Sequence, residues 1–291
     1  MESTERLCLP SFRRRASRAV AHRTHGHRHG PITRLMSPGD LGELVKPFVF
    51  LDYFETEGLQ GGGFGAHPHS GIATHTTLLR GSSEYGDSTG KSGTLRDGNL
   101  EWMQAGGGVW HWGSPQSNAA ARGYQLWIAL PPSLEHAPAE SHYIESERVE
   151  SDGTVRVLLG TYGALGSPIP YREPVAYLHV RLDDGARWAF TPEPGHDVAW
   201  LAVNQGALRA AEERLENEMV VFEEGSDTIE LEAVGTTEFV IGSARKHEHP
   251  LVTGYYSVHT SQEALVRGER EIQAVRRTPI VTEAIRRTSR R

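Results

Sequence analysis

A single cysteine, Cys8, stands in 291 residues. No disulfide can close within the chain, which fits a reducing compartment. No apolar run approaches the roughly 18 residues that a membrane-spanning helix needs, so a membrane protein is not expected and a cytoplasmic location is. The arginine-rich start "FRRRASRAVAHRTHGHRHG" has no apolar segment behind it and does not read as a secretory signal. An organellar presequence is the weaker reading there, because Glu2 and Glu5 count against it. Long amphipathic runs are scarce too. The 32 glycines and 16 prolines punctuate short apolar stretches, which favours strands joined by turns. Length and composition allow one large domain or two medium ones.

The net charge of −7 is unevenly spread. Residues 1–34 carry eight arginines against two acids, and residues 267–291 carry eight against three. The middle, 35–266, holds 14 of the 30 basic residues and 32 of the 37 acids, a net of −18. An acidic body repels nucleic acid at long range, so no direct nucleic-acid binding is expected. The basic ends read as solvated segments that can also meet the body or an acidic partner. The tract His22, His25, His27, His29 reads as a surface segment with weak metal capture at most.

From Pro47 the pattern becomes a strand series. "PFVFLDYF", "IATHTTLLRG", "LEWMQAGGGVWHWGSP" and "GYQLWIAL" are strand candidates closed by glycine or proline. A second series runs through "VAYLHVRL", "HDVAWLAVNQGAL", "NEMVVFEEG" and "TEFVIGSA". Such spacing suggests a sandwich or barrel. The expected organisation is a basic N-terminal segment over 1–34, partly disordered. A barrel over 35–145 follows, then a second over 146–250, and a strand, helix and basic tail over 251–291. The helix is expected from Thr260 to about Arg270, capped by Ser261 or Thr260. The stretch "GARWAFTPEPGHDVAWLAVNQG" is a diverged echo of "GGFGAHPHSGIATHTTLLRG" that keeps only His196. Chemistry is therefore expected in the first unit.

In a strand, residues i and i+2 share a face. His67 and His69 then aim their rings together, and Pro68 between them suits a strand edge or barrel mouth. His111 follows a triple-glycine bend, which lets a separate strand return a third ring to the same point. Three imidazoles are good donors for a transition metal. The structural alternative is three rings that only pack and hydrogen-bond. His75 shares the parity of His69 but lies about 20 Å further along a straight strand, so packing is expected. Gln125 is a candidate for the barrel mouth. Glu101 is expected to be exposed or paired. Trp102, Trp110, Trp112 and Met103 are expected in the core, with aromatic lining of a substrate site as the lesser role of Trp110 and Trp112.

A His-x-His pair followed by a glycine-marked third histidine resembles the cupin superfamily. The chain is similar to the pirin family in particular, over roughly residues 30–270. His67-Pro68-His69-Ser70-Gly71 resembles the family's "HPHRG"-type motif. Gly98 to Gly113 resembles its "GDLQWMTAGRGILHAE"-type motif, and Gly123 to Leu130 its "GLQLWVNL"-type strand. "HPLVTGYYSVHTSQEALVRG" fits the family's C-terminal half. The resemblance implies an all-β bicupin of two consecutive jelly-roll barrels with a short C-terminal helix. It further implies a monomer and a divalent metal, Fe(II) before other transition metals, held by His67, His69 and His111. Members act as quercetin 2,3-dioxygenases on flavonols, or as metal-containing regulators that bind transcription factors or metabolic enzymes. A metal-free relic is the remaining reading. One departure bears on all three. Iron-binding members carry a fourth ligand, a glutamate, two residues after the third histidine, and Gly113 stands there.

Overall fold

The structure is a computed structural model that describes residues 17–57, 65–115, 120–210 and 213–288. The start of the basic segment, residues 1–16, lies outside the described residues. The chain enters through β1 (Val20–Thr24), β2 (His27–His29) and β3 (Ile32–Met36). A short helix α1 (Leu41–Val45) begins at Asp40, whose side chain accepts from the Leu41 amide. Then come β4 (Phe48–Thr56), β5 (His67–His69), β6 (Ile72–Arg80), β7 (Ser83–Asp87) and β8 (Ser92–Leu95). The first unit ends with β9 (Leu100–Gln104), β10 (Val109–Pro115), β11 (Ala121–Ala129) and β12 (Glu140–Ile144). Seven of these strands form one antiparallel sheet in the order β12-β9-β6-β11-β4-β3-β2. The other is β5-β10-β7-β8. Side chains of both sheets line one cavity between them.

The second barrel starts with β13 (Val155–Leu159) and the small hairpin of β14 (Thr161–Tyr162) and β15 (Leu165–Gly166). It continues through β16 (Val175–Leu182), β17 (Arg187–Phe190), β18 (Val198–Ala210), β19 (Glu213–Leu215), β20 (Met219–Phe222) and β21 (Ile229–Ala244). Apart from the β14–β15 hairpin, its strands form a single sheet, in which β18 and β21 are long and turn a corner. Their ladder slips around Gln205, and Gly206 has a φ of 72°, a conformation glycine adopts without steric cost. One end of β21 pairs with β16 and the other with β17.

Part of the basic N-terminal stretch is built into one sheet of each barrel, which the reading of 1–34 as a separate segment did not foresee. β1 pairs with β20 of the second barrel, and β2 and β3 extend the first. Charge explains this. Arg23 donates to Glu218 at 2.9 and 2.7 Å and to Glu213 at 2.9 Å, and Arg34 pairs with Asp52. The acidic body thus holds its own arginines.

One apolar core runs through both barrels. Phe48, Leu100, Trp102, Tyr124 and Leu126 of the first meet Tyr177, Trp200 and Val240 of the second. The Phe48 ring meets Trp200 edge-on at 5.4 Å, and Gly242 leaves room for the indole, since a Cβ there would lie 2.6 Å from it. His75 belongs to this core. It is fully buried and its Nε2 donates to the Leu158 carbonyl at 3.2 Å.

The C-terminal segment returns to the first barrel through β22 (Val252–Thr253), β23 (Val258–His259) and α2 (Gln262–Arg276). Ser261 caps α2 by accepting from Ala264 N at 3.1 Å. A second helix, α3 (Pro279–Thr288), was not expected. Proline reads as a stop in sequence, but at the first helical position its missing N–H costs nothing. Ile272 and Val281 of the two helices pack against Trp110.

Two outcomes follow. Trp200→Ala should lower the unfolding free energy by about 3–5 kcal/mol in a denaturant titration. A loss below about 1 kcal/mol would mean that the shared core does not join the barrels. Burial lowers the His75 pKa from 6.5 to about 4, with the Leu158 carbonyl only partly opposing it. The fold therefore favours the neutral ring. His75's contribution is intact above pH 6.5 and is lost as pH falls towards 4, up to about 3 kcal/mol. His75→Gln should flatten the stability–pH curve over that window; an unchanged curve would contradict this.

Candidate metal centre

Strand register builds the site. In the β5–β10 ladder His67 lies directly opposite His111, and His69 opposite Val109. By alternation His69 then shares the face of the other two. Two glycines make the ladder turn. Gly71 has a φ of 71° and Gly106 a φ of 51°, and a Cβ at either would collide with the carbonyl of Val258 or Ala137 respectively. Gly71 N donates to Gly106 O at 2.7 Å and ties the two bends together.

The ligand atoms of His67, His69 and His111 lie within 4.8 Å of one another. His69 is fully buried. Its Nδ1 faces the Tyr256 carbonyl at 3.0 Å, so Nδ1 carries the proton and Nε2 carries the lone pair. That buried Nε2 has no hydrogen-bond partner among the described residues. His67 is arranged alike, with Nδ1 on the Gly65 carbonyl at 2.8 Å. Its Nε2 lies 2.8 Å from Nε2 of His111. Burial, reinforced by the neighbouring His111, lowers the His67 pKa to about 3. The same causes, with His67 added, hold His69 well below its ordinary value. Two neutral imidazoles with fixed tautomers, one of them an orphaned buried acceptor, fit a transition-metal ion.

Behind the histidines the sheet presents a polar row, set by register across adjacent strands. Glu101 is opposite Thr76, Thr76 opposite Gln125, Gln125 opposite Asp52, and Asp52 opposite Arg34. Glu101, Thr76, Gln125 and Asp52 line the cavity that also touches His67, His111 and Gly113. Gln125 therefore faces the cavity. Glu101 is not exposed: it is buried and accepts from the Thr76 hydroxyl at 2.7 Å. Its other oxygen stands 3.7 Å from Nδ1 of His111. Burial raises the Glu101 carboxyl, but His111 and Thr76 more than offset this and hold it below its usual value.

The remaining candidates separate cleanly. Trp102 and Met103 are buried in apolar clusters. Trp110 is buried too and donates to the Ile272 carbonyl at 3.0 Å. Trp112 corrects the expectation of core packing, because it is partly exposed and lines the cavity; Gly86, opposite it on β7, leaves the indole room. The tract His22, His25, His27, His29 is exposed and forms no metal-holding group among the described residues. A second such group, Glu135, His136 and His259, does exist. Two of its three residues are already engaged: Glu135 accepts from His259 at 2.9 Å and from Thr260 at 2.9 and 2.7 Å, and His259 Nε2 meets Ser70 at 3.0 Å, while the buried ring nitrogens of His136 have no hydrogen-bond partner among the described residues. It ties the C-terminal segment to the first barrel. Sequence reasoning missed Glu101 and Tyr256. Parity along β9 would have put Glu101 opposite the apolar Leu100 and Trp102, but not beside His111.

The family model described as Pirin matches residues 23–128. Pirin of Rattus norvegicus is 30% identical over 276 residues, 90% of each chain. Among solved structures, a quercetin 2,3-dioxygenase from Acinetobacter baumannii superposes with a TM-score of 0.80 at 23% identity, covering 89% of this chain and 98% of that one. The bacterial pirin YhhW from Escherichia coli, in complex with nickel(II), gives 0.61 at 18% identity, covering 79% and 96%. The fold is thus that of a bicupin, two β-barrels followed by helix. With this likeness over nearly its whole length, the chain belongs to the pirin family.

Proposed function

We propose that the chain is a metal-dependent dioxygenase of the quercetin 2,3-dioxygenase type, acting on a flavonol-like aromatic. The observation that carries this reading is the junction of the three-imidazole centre with the cavity between the sheets. Phe54, Leu78, Leu95, Tyr85 and Trp112 give that cavity apolar and aromatic walls, and Gln125 and Glu101 give it a polar floor. A flat polyphenol needs both surfaces.

His67, His69 and His111 would hold the ion. Imidazole donors suit iron, zinc, copper and nickel alike; Fe(II) is proposed because the reaction uses dioxygen. When bound, the ion supplies coordination positions open to the substrate oxygen and to dioxygen. Both oxygen atoms enter the ring-opened product, so no external reductant is required. The chain's own part is positional. His67 and His69 are held neutral and aimed, so binding requires no proton to leave them. The aromatic walls orient the substrate plane, and Gln125 offers both a donor and an acceptor to its hydroxyls. Gly113 leaves no carboxylate at the position where the family's glutamate serves as ligand and base. Its Cβ position has space: the nearest atoms are Glu84 O at 3.5 Å and Ser83 Oγ at 3.8 Å.

Iron-loaded protein should consume a flavonol in air, seen as loss of its visible absorbance, and His69→Ala should not. Turnover no higher than that variant's would reject the enzyme. Gly113→Glu should tighten metal binding by about tenfold or more, roughly 1.4 kcal/mol or more, in chelator competition. Unchanged affinity would mean that position 113 does not face the ion.

A further inference from the structure

Two imidazole nitrogens, His67 Nε2 and His111 Nε2, face each other at 2.8 Å. The Gly65 carbonyl fixes His67 with its lone pair on Nε2. The pair therefore has a metal-free arrangement and a metal-bound one. In one, His111 carries its proton on Nε2 and donates it to His67, which closes the site with a hydrogen bond. In the other, His111 carries its proton on Nδ1, two lone pairs face each other, and a cation belongs between them. What lies beyond Nδ1 of His111 decides the balance.

That neighbour is Glu101. Among the described residues, three carboxylates line the cavity: Asp52, Glu84 and Glu101. Asp52 is paired with Arg34 and Glu84 is exposed. Glu101 is buried, anchored at one oxygen by Thr76, and presents the other to His111 Nδ1 at 3.7 Å. We propose that Glu101 is a positioning residue for His111. When a cation takes Nε2 of His111, the Glu101 carboxylate holds the imidazole proton on Nδ1 and returns negative charge to a centre whose direct donors are neutral. In the pirin-type motif quoted above, the position of Glu101 holds glutamine and that of Gly113 holds glutamate. The carboxylate has in effect moved from beside the ion to behind its third ligand. The inference rests on the metal reading of the three histidines.

Carboxylates behind metal-bound histidines typically account for about 10- to 100-fold in metal affinity. Glu101→Gln should therefore weaken Co(II) binding by that factor in chelator competition, while Glu101→Asp, which keeps the charge, should lose less. In the Zn(II)-loaded protein, the Nδ1 proton of His111 should resonate downfield, and Glu101→Gln should move it upfield. Adding Gly113→Glu to Glu101→Gln should restore affinity. If the wild-type chain binds no Co(II), the metal reading itself fails. If it binds Co(II) and Glu101→Gln changes neither affinity nor the Nδ1 proton shift, only the role of Glu101 is overturned. Should Glu101→Gln fail to fold, Thr76→Val serves instead: loosening the carboxylate should cost affinity by several-fold, and no loss would overturn the role.

Discussion

The arrangement depends on two backbone carbonyls. Gly65 and Tyr256 take the Nδ1 protons of His67 and His69, and this alone turns both Nε2 lone pairs inward. A buried imidazole acceptor without a partner costs free energy in an otherwise satisfied fold. His69 Nε2 is such an atom, and the surrounding structure supports it from every side. The β5–β10 register sets His111 opposite His67, and the bends at Gly71 and Gly106 bring the ladder ends close to the C-terminal segment and to the loop at Ala137 respectively.

That dependence explains the otherwise distant parts of the chain. The second barrel has no cluster of this kind among its described residues, yet it shares one core with the first. The C-terminal segment comes from 187 residues beyond His69 in sequence to deliver the Tyr256 carbonyl. The hydrogen-bonded chain from Glu135 through His259 and Ser70 to Ser257 and Glu269 fixes that delivery. A pattern of three histidines is thus only part of the site. Its orientation comes from the far end of the molecule.

The sequence made some of this legible. Alternation in "HPH" and the glycine bend before His111 pointed to the three rings, and the regular strand spacing pointed to barrels. Other features were hidden because they depend on cross-strand register, which a single strand does not encode. The row from Glu101 to Arg34 joins five strands, and no local pattern marks it. Trp112 was expected in the core because its parity opposes His111; the glycine at position 86 instead leaves its ring beside the cavity. The helix α3 was missed because its proline reads as an end rather than a beginning. The role of β1 was missed because its exposed histidines and arginine look like a tail, while the acids that hold Arg23 lie about 190 residues away.

The central claim is that three lone pairs from two separate strands meet at one ion. Anomalous diffraction at a metal absorption edge, on crystals of chain purified without chelator or affinity tag and loaded with Fe(II), tests this directly. The account requires one strong peak within bonding distance of Nε2 of His67, His69 and His111. No peak there, or peaks only among the exposed histidines of β1 and β2, would contradict it.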